Sequence, residues 1–274
     1  MDYQGFLEAG LEISTSVKAG EMHAYFKQAA PRLFRALQLF NLNKNDSYAE
    51  VLDIGPFFSY IPFILREGVS SYTIFEARDP AINCLLPLYK SRDINVKFVD
   101  MFDLFGPSHS HTQQLDLPSD SMNLILCWEV MEHFSFNPVK FCRELYRLLK
   151  PGGRVCVTVP NKASFQAIHA LITGRNQAES ISTYFQFEDY VCAGKKVFYG
   201  FHWLEYSPFE LRTLFHQVGF DIVACEGFTV FHDNHKPSFG RRIARSMAEI
   251  GTQIAPKHGS NIYLEAVKPL NSKS

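Results

Sequence analysis

Several short stretches of the chain carry side chains that could grip a nucleoside or move a proton. Val51-Leu52-Asp53-Ile54-Gly55 sets an acid next to a glycine at the end of an apolar run. That pattern suits a strand that turns tightly into a helix beside a ligand. Ile74-Phe75-Glu76 closes a second apolar run about twenty residues further on, where a carboxylate can accept two hydrogen bonds from vicinal ribose hydroxyls. Phe98-Val99-Asp100-Met101 offers an acceptor for an exocyclic amino group beside a soft apolar side chain. Leu126-Cys127-Trp128-Glu129 runs straight into Val130-Met131-Glu132-His133, and a second histidine lies in Gly200-Phe201-His202-Trp203. A neutral imidazole is the natural base for a hydroxyl near pH 7, so His133 and His202 are the catalytic candidates. His133 could instead hold a strand-to-helix turn by hydrogen bonding, and His202 could serve to close a lid.

The elements that must position these groups follow from the apolar pattern. Residues 1–48 read as a helical cap, with Tyr25, Leu33, Phe34, Leu37 and Phe40 near helical spacing and Pro31 marking a break between two segments. Beyond the turn-like Asn43–Asp46 the pattern changes to short β-branched or aromatic runs alternating with helical stretches, the mark of βαβ units and a parallel sheet. Strands are expected at Glu50–Ile54, Ser71–Phe75, Asn95–Val99, Met122–Cys127 and Gly153–Val159, with two more at Phe220–Glu226 and Asn261–Val267. Tyr60–Glu67 and the face made by Phe141, Leu145, Leu148 and Leu149 read as helices. Ser207-Pro208-Phe209-Glu210 opens another with a capping box and a proline in its first turn, and Gly219 ends it. The sequence predicts one α/β domain over 49–270, doubly wound, with a lid inserted at about 161–203. A basic helical segment is expected at Arg241–Ile250.

Taken in order, these motifs resemble the class I S-adenosylmethionine-dependent methyltransferases, and most closely the small-molecule branch that includes ubiquinone-biosynthesis O-methyltransferases. The likeness spans roughly residues 49–228. It includes Glu-Val-Met-Glu-His at 129–133, Leu149-Lys150-Pro151-Gly152-Gly153, Val159-Pro160-Asn161 and His202-Trp-Leu-Glu-Tyr206. The resemblance implies a seven-stranded Rossmann-like sheet in the order 3-2-1-4-5-7-6 with the last strand antiparallel. It implies S-adenosylmethionine as cofactor, held by Asp53, Gly55, Phe57, Glu76, Asp100, Met101, Cys127 and Glu129. One departure stands out. The family loop usually reads G-x-G-x-G, whereas here it is Gly55-Pro56-Phe57-Phe58-Ser59. Glycine permits positive φ and close backbone approach, which a phenylalanine resists. The expectation is that the Phe57 side chain turns outward while Pro56 holds the turn. A lost cofactor site would leave a non-catalytic nucleotide- or partner-binding relative. A nicotinamide oxidoreductase would share the strand-end acids but not this loop, which lacks G-x-G-x-x-G.

The aromatic crowding of the lid speaks to the acceptor. Tyr184, Phe185, Phe187, Tyr190, Phe198, Tyr199, Phe201 and Trp203 fall close together, and Tyr184, Tyr199, Trp203 and Tyr206 are the substrate-binding candidates for a planar or apolar small molecule. Oxygen is the expected acceptor atom. Net charge is −1, so no global field recruits nucleic acid or an anionic membrane, and no N-P-P-Y-type tetrapeptide for base methylation occurs. Arg241, Arg242 and Arg245 read as a solvated face. No apolar run approaches the roughly 20 residues of a membrane span, and the first residues lack a leader pattern. A cytoplasmic monomer or homodimer is expected. The six scattered cysteines read as buried thiols. Neither they nor the pairs His109/His111 and His232/His235 show metal-ligand spacing, so no metal is expected.

Overall fold

The computed structural model describes residues 1–18, 20–40, 49–106, 114–174, 201–230, 251 and 254–270. Its centre is a seven-stranded sheet ordered β3-β2-β1-β4-β5-β7-β6. The strands are β1 (Glu50–Ile54), β2 (Ser71–Glu76), β3 (Ile94–Phe98), β4 (Met122–Trp128), β5 (Leu149–Pro160), β6 (Asp221–Phe228) and β7 (Asn261–Val267). β7 runs antiparallel to both β5 and β6, and the other pairings are parallel. Order and direction match the expectation. Strand order reverses between β1 and β4, which opens a crevice beyond their carboxyl ends.

Successive strand residues point to opposite faces, so the sheet divides the core in two. One half contains Val51, Tyr72, Ile74, Leu124, Leu126 and Trp128, covered by α1 (Tyr3–Ser16), α2 (Gly20–Phe40), α3 (Ile61–Leu65) and α4 (Leu86–Ser91). The other contains Leu52, Ile54, Phe75, Ile125, Cys127 and Val157, covered by α5 (Met101–Phe105), α6 (Pro138–Leu148) and α8 (Pro208–Val218); α7 is Phe165–Ile172. The α8 capping box forms as expected, with Ser207 and Glu210 satisfying each other's backbone N–H, and Gly219 closes the helix at φ 116°.

The cap departs from the sequence expectation in one respect. Pro31 lies inside α2 and does not divide it. The break comes earlier, after Val17, where Lys18 takes φ 58°. The helix survives Pro31 because tertiary burial of Phe26, Ala29, Ala30, Leu33 and Ala36 offsets the lost backbone hydrogen bond. Gly10 lets the two cap helices close, since a Cβ there would run into the Phe26 ring.

Among the described residues, Cys84, Cys127, Cys142, Cys156 and Cys225 are free thiols, and no helix is long and apolar enough to cross a membrane. Of the stretch at 161–203 expected to form a lid, residues 161–174 and 201–203 are described. Tyr184, Tyr199 and the basic segment at 241–250 lie outside the described residues, as do His109, His111, His232 and His235.

Candidate active site at the carboxyl edge of the sheet

A cavity of about 440 Å³ opens beyond the ends of β1, β2 and β4. Its walls come from three sources. The strand ends give Gly55, Phe57, Glu76, Met101, Trp128 and Glu129, the turn after β4 gives Glu132, His133, Phe134 and Phe136, and α2 lends Tyr25, Ala29, Arg32 and Leu33. Residues 25, 29 and 32 share one face of a helix with 3.6 residues per turn, so the cap wall follows directly from helical periodicity.

The loop after β1 keeps the backbone course of a glycine loop without its second glycine. Gly55 has φ 62°, and a Cβ there would lie 2.8 Å from Val130 Cγ2, so this position demands glycine twice over. Phe57 itself adopts φ 41°. That conformation costs an L-residue about 1–2 kcal/mol. Three contacts hold it: its N–H donates to Glu76 Oε2 at 2.8 Å, and its ring meets Tyr25 and Phe58 edge-on, with centroids 5.4 and 4.9 Å away. The ring does not turn outward as expected: it packs toward the cap and becomes part of the cavity wall.

Glu76 is buried, and its other oxygen accepts from the Ala77 N–H at 2.9 Å. Burial pushes its carboxyl up to about 7 against the pull of the two N–H donors. Each oxygen keeps lone-pair capacity that ribose hydroxyls could use. Asp53 does not line the cavity. It lies in the sheet beneath the loop, accepts from Tyr72 Oη at 2.8 Å, and is raised by burial to about 7. Asp100 caps α5, with Oδ1 accepting from the N–H groups of Phe102 and Asp103, and Cys127 is fully buried in the core. Sequence spacing brought all three acids to the right strand ends but did not say which would turn inward.

Beyond β4, across β1 from Glu76, the cavity-lining rings of His133 and His202 stand 5.1 Å apart. Segment 201–206 is laced to the turn after β4, because Trp203 and Leu204 donate their N–H groups to Glu132 O at 2.8 and 3.1 Å. His133 Nδ1 lies 3.0 Å from Phe201 O. A carbonyl only accepts, so the neutral ring carries its proton on Nδ1 and points a lone pair from Nε2. Burial, reinforced by His202, lowers His133 to about 4 and keeps it neutral. Trp203 is 43% exposed and does not line the cavity. Tyr206 is buried beside the end of β5, bridging to Asn161, and does not line it either.

Two wall residues, Arg32 and Tyr25, had no distinct signal in the sequence as parts of a site. Arg32 reaches from α2 to Glu129, its Nε 3.2 Å from Oε2. Glu129 adopts φ 58°, a costly conformation of the kind that gathers at functional sites. Tyr25 stands over the loop. An arginine or tyrosine in an amphipathic helix looks the same whether it faces solvent or a pocket. Glu132 was legible as part of Glu-Val-Met-Glu-His but not as a wall of the site. No metal was expected from spacing, yet the fold gathers Glu132, His133 and His202 within ligating reach of one another.

A profile for a methyltransferase domain matches residues 25–225. The chain belongs to the methyltransferase-domain family. A "probable S-adenosylmethionine-dependent methyltransferase" of Mycolicibacterium smegmatis is 26% identical over 147 residues, which cover 54% of this chain and 46% of that one. The match thus spans less than half of that relative. Among solved structures, the S-adenosylmethionine-dependent methyltransferase of Mesorhizobium loti overlays with a TM-score of 0.54 at 13% identity, covering 88% of this chain and 97% of that one. Phosphoethanolamine N-methyltransferase 2 of Haemonchus contortus, solved with S-adenosylmethionine, overlays at 0.50 and 15% identity, covering 87% and 52%. At these identities the overlays speak to the fold. The profile match extends back into α2, so the cap belongs in part to the family domain.

S-adenosylmethionine is the methyl donor of class I enzymes of this fold, and the residues present fit it. The glycine-dependent turn, the buried Glu76 carboxylate and a cavity within the roughly 300–1,000 Å³ range of small-molecule sites lie together at the switch point. Gly55, the Phe57 backbone, Glu76 and Met101 would hold the nucleoside, and Glu129 would face its amino-acid end.

Proposed function

We propose that the protein transfers a methyl group from S-adenosylmethionine to a small-molecule acceptor, at an oxygen of an apolar or aromatic metabolite. The observation that carries this reading is the polarity of one cavity. A buried ribose-type acceptor, Glu76, closes β2 on one side of β1, and two histidines, one with an unprotonated Nε2, join the lining beyond β4 on the other side. When bound, the sulfonium supplies an activated methyl group, so the protein's tasks are alignment and exclusion of water. Trp128, Phe134, Phe136 and Tyr25 give walls suited to a flat apolar acceptor. Glu129 and Arg32 place one ion pair in the cavity wall. His133 and His202 are the groups that contact an acceptor hydroxyl. The turn of Phe57 toward Tyr25 favours this reading over a degenerate, non-catalytic loop, because the backbone course that glycine would give is retained.

Calorimetry with S-adenosylmethionine and S-adenosylhomocysteine tests the donor. We expect one site per chain and a 10–100-fold loss of affinity in Glu76→Gln, as charged hydrogen bonds contribute about 1.5–3 kcal/mol. Transfer of a labelled methyl group to a panel of phenols, catechols, amines and carboxylic acids then tests the acceptor atom. No heat with either nucleoside would sink the donor assignment, and label appearing only on amines would overturn oxygen as acceptor.

A further inference from the structure

Where α2 meets the end of β4, the cavity wall is short of hydrogen-bond acceptors. Arg32, Tyr25 and Trp128 all line the cavity. Trp128 is 6% exposed, and its indole N–H is buried without a hydrogen-bond partner. It packs in the same half of the core as Ala29 and Leu33, the α2 residues on either side of Arg32. Arg32 Nε stands 3.2 Å from Glu129 Oε2, close enough for an ion pair, yet its N–H makes no hydrogen bond. That contact leaves the rest of the guanidinium available, and the side chain is still 26% exposed. The Tyr25 phenol adjoins the same guanidinium. Buried N–H donors without acceptors are costly, and the planar fork of an arginine matches the two oxygens of a carboxylate.

We infer that Arg32, with Trp128 and Tyr25, forms a subsite for a carboxylate group of the acceptor, which makes the acceptor a hydroxy acid. Its hydroxyl lies at the histidines and its carboxylate under the cap helix; this rests on the reading of the cavity as a donor and acceptor site and adds the acceptor's chemical class. The guanidinium charge is felt at Glu129, Glu132 and His133, all just past the end of β4 and on the acceptor side of the cavity. A carboxylate fits this place better than a phosphate monoester, whose charge of about two would meet a single guanidinium already facing Glu129. Arg32 selects and orients the acceptor and takes no part in proton transfer. A neutral analogue is rejected because it leaves the buried donors unpaired.

The test is calorimetry on the full-length protein loaded with S-adenosylhomocysteine, with para-hydroxyphenylacetate and its primary amide as probes. The two have nearly the same shape and differ in charge. We expect the acid to bind at least about tenfold more tightly than the amide, the lower end of the range for hydrogen bonds to charged groups. Arg32→Met should bring the acid to the level of the amide and leave the amide unchanged. Arg32→Lys keeps the charge without the fork and should restore only part of the preference. Because Arg32→Met also breaks the ion pair, the double variant with Glu129→Gln is measured alongside, and the same loss of preference is expected there. Neither probe binding, equal binding of both by the wild type, or a preference for the acid that survives in Arg32→Met overturns the subsite.

Methylthioadenosine, which lacks the donor's amino-acid end, separates the two sources a carboxylate could have. Suppose Arg32→Met weakens S-adenosylhomocysteine but not methylthioadenosine, and the acid preference stays intact. Arg32 then holds the donor, and the acceptor subsite is overturned. A preference for the acid in unloaded protein that gives no heat with S-adenosylhomocysteine supports the subsite and overturns the donor reading.

Discussion

Phe57 offers a sharp test, because its side chain and its backbone oppose each other. The half-buried ring packs edge-on against Tyr25 and Phe58, while the backbone stays at φ 41°. Phe57→Ala removes the ring and keeps the strain; Phe57→Gly removes both. Truncating a fully buried phenylalanine costs about 3–5 kcal/mol, so a half-buried one should cost roughly half that in the alanine variant. Relief of the left-handed conformation returns about 1–2 kcal/mol to the glycine variant. Its more flexible unfolded chain takes back about 0.4–1 kcal/mol. Glycine should therefore be more stable than alanine by about 0.5–1 kcal/mol, with phenylalanine above both. Denaturant unfolding of the three proteins measures this difference, provided the slopes agree. Both variants keep the N–H that donates to Glu76, so S-adenosylhomocysteine affinity should change by less than about tenfold, the equivalent of 1.4 kcal/mol. Alanine as stable as glycine would show that this residue is not left-handed, and the account of how the loop survives without its second glycine would fail.

The cap and the sheet should be coupled through Arg32 and Glu129. Breaking a buried pair costs about 3–5 kcal/mol, and with Arg32 side chain 26% exposed we expect about 2 kcal/mol for Arg32→Met, largely recovered in the double variant with Glu129→Gln. Additive losses in a double-mutant cycle would argue against the pair. Asp53 makes a pH prediction. Its folded value of about 7 exceeds the unfolded value of about 3.9, so the native state binds the extra proton, and stability falls as pH rises from about 4 to 7. Asp53→Asn, which cannot ionise, should gain on the wild type across that window by on the order of 2–4 kcal/mol. Parallel unfolding free energies at pH 5 and pH 8 would show it, and a constant difference would refute it.

Much of the architecture was legible from local chemistry. The capping box at Ser207 and Glu210, Gly219, and the alternation of short apolar runs with helical faces fix their elements through neighbours in the chain; strand ends differ by a residue or two, except that β5 starts four residues earlier than expected. Pro31 misled because its penalty is local while the burial that outweighs it is not. Within the site, the strand-end acids were readable as types but not as orientations. Asp53 and Glu76 follow the same pattern, yet one is bonded to Tyr72 inside the sheet and the other lies in the cavity wall.

Sequence alone therefore determined the order of elements along the chain, which follows from hydrophobic period and turn chemistry read over a few residues, while the place of the crevice came from the sheet order that the family resemblance implies. Only tertiary structure decided that α2 supplies Tyr25 and Arg32, that Phe57 packs on Tyr25 as part of the cavity wall with its N–H held by Glu76, and that Glu132, His133 and His202 meet. His202 is 69 residues past His133, and a hydrogen-bonded return of the chain makes them neighbours. Contacts across such separations depend on how whole elements pack, a quantity that no local window of residue types contains.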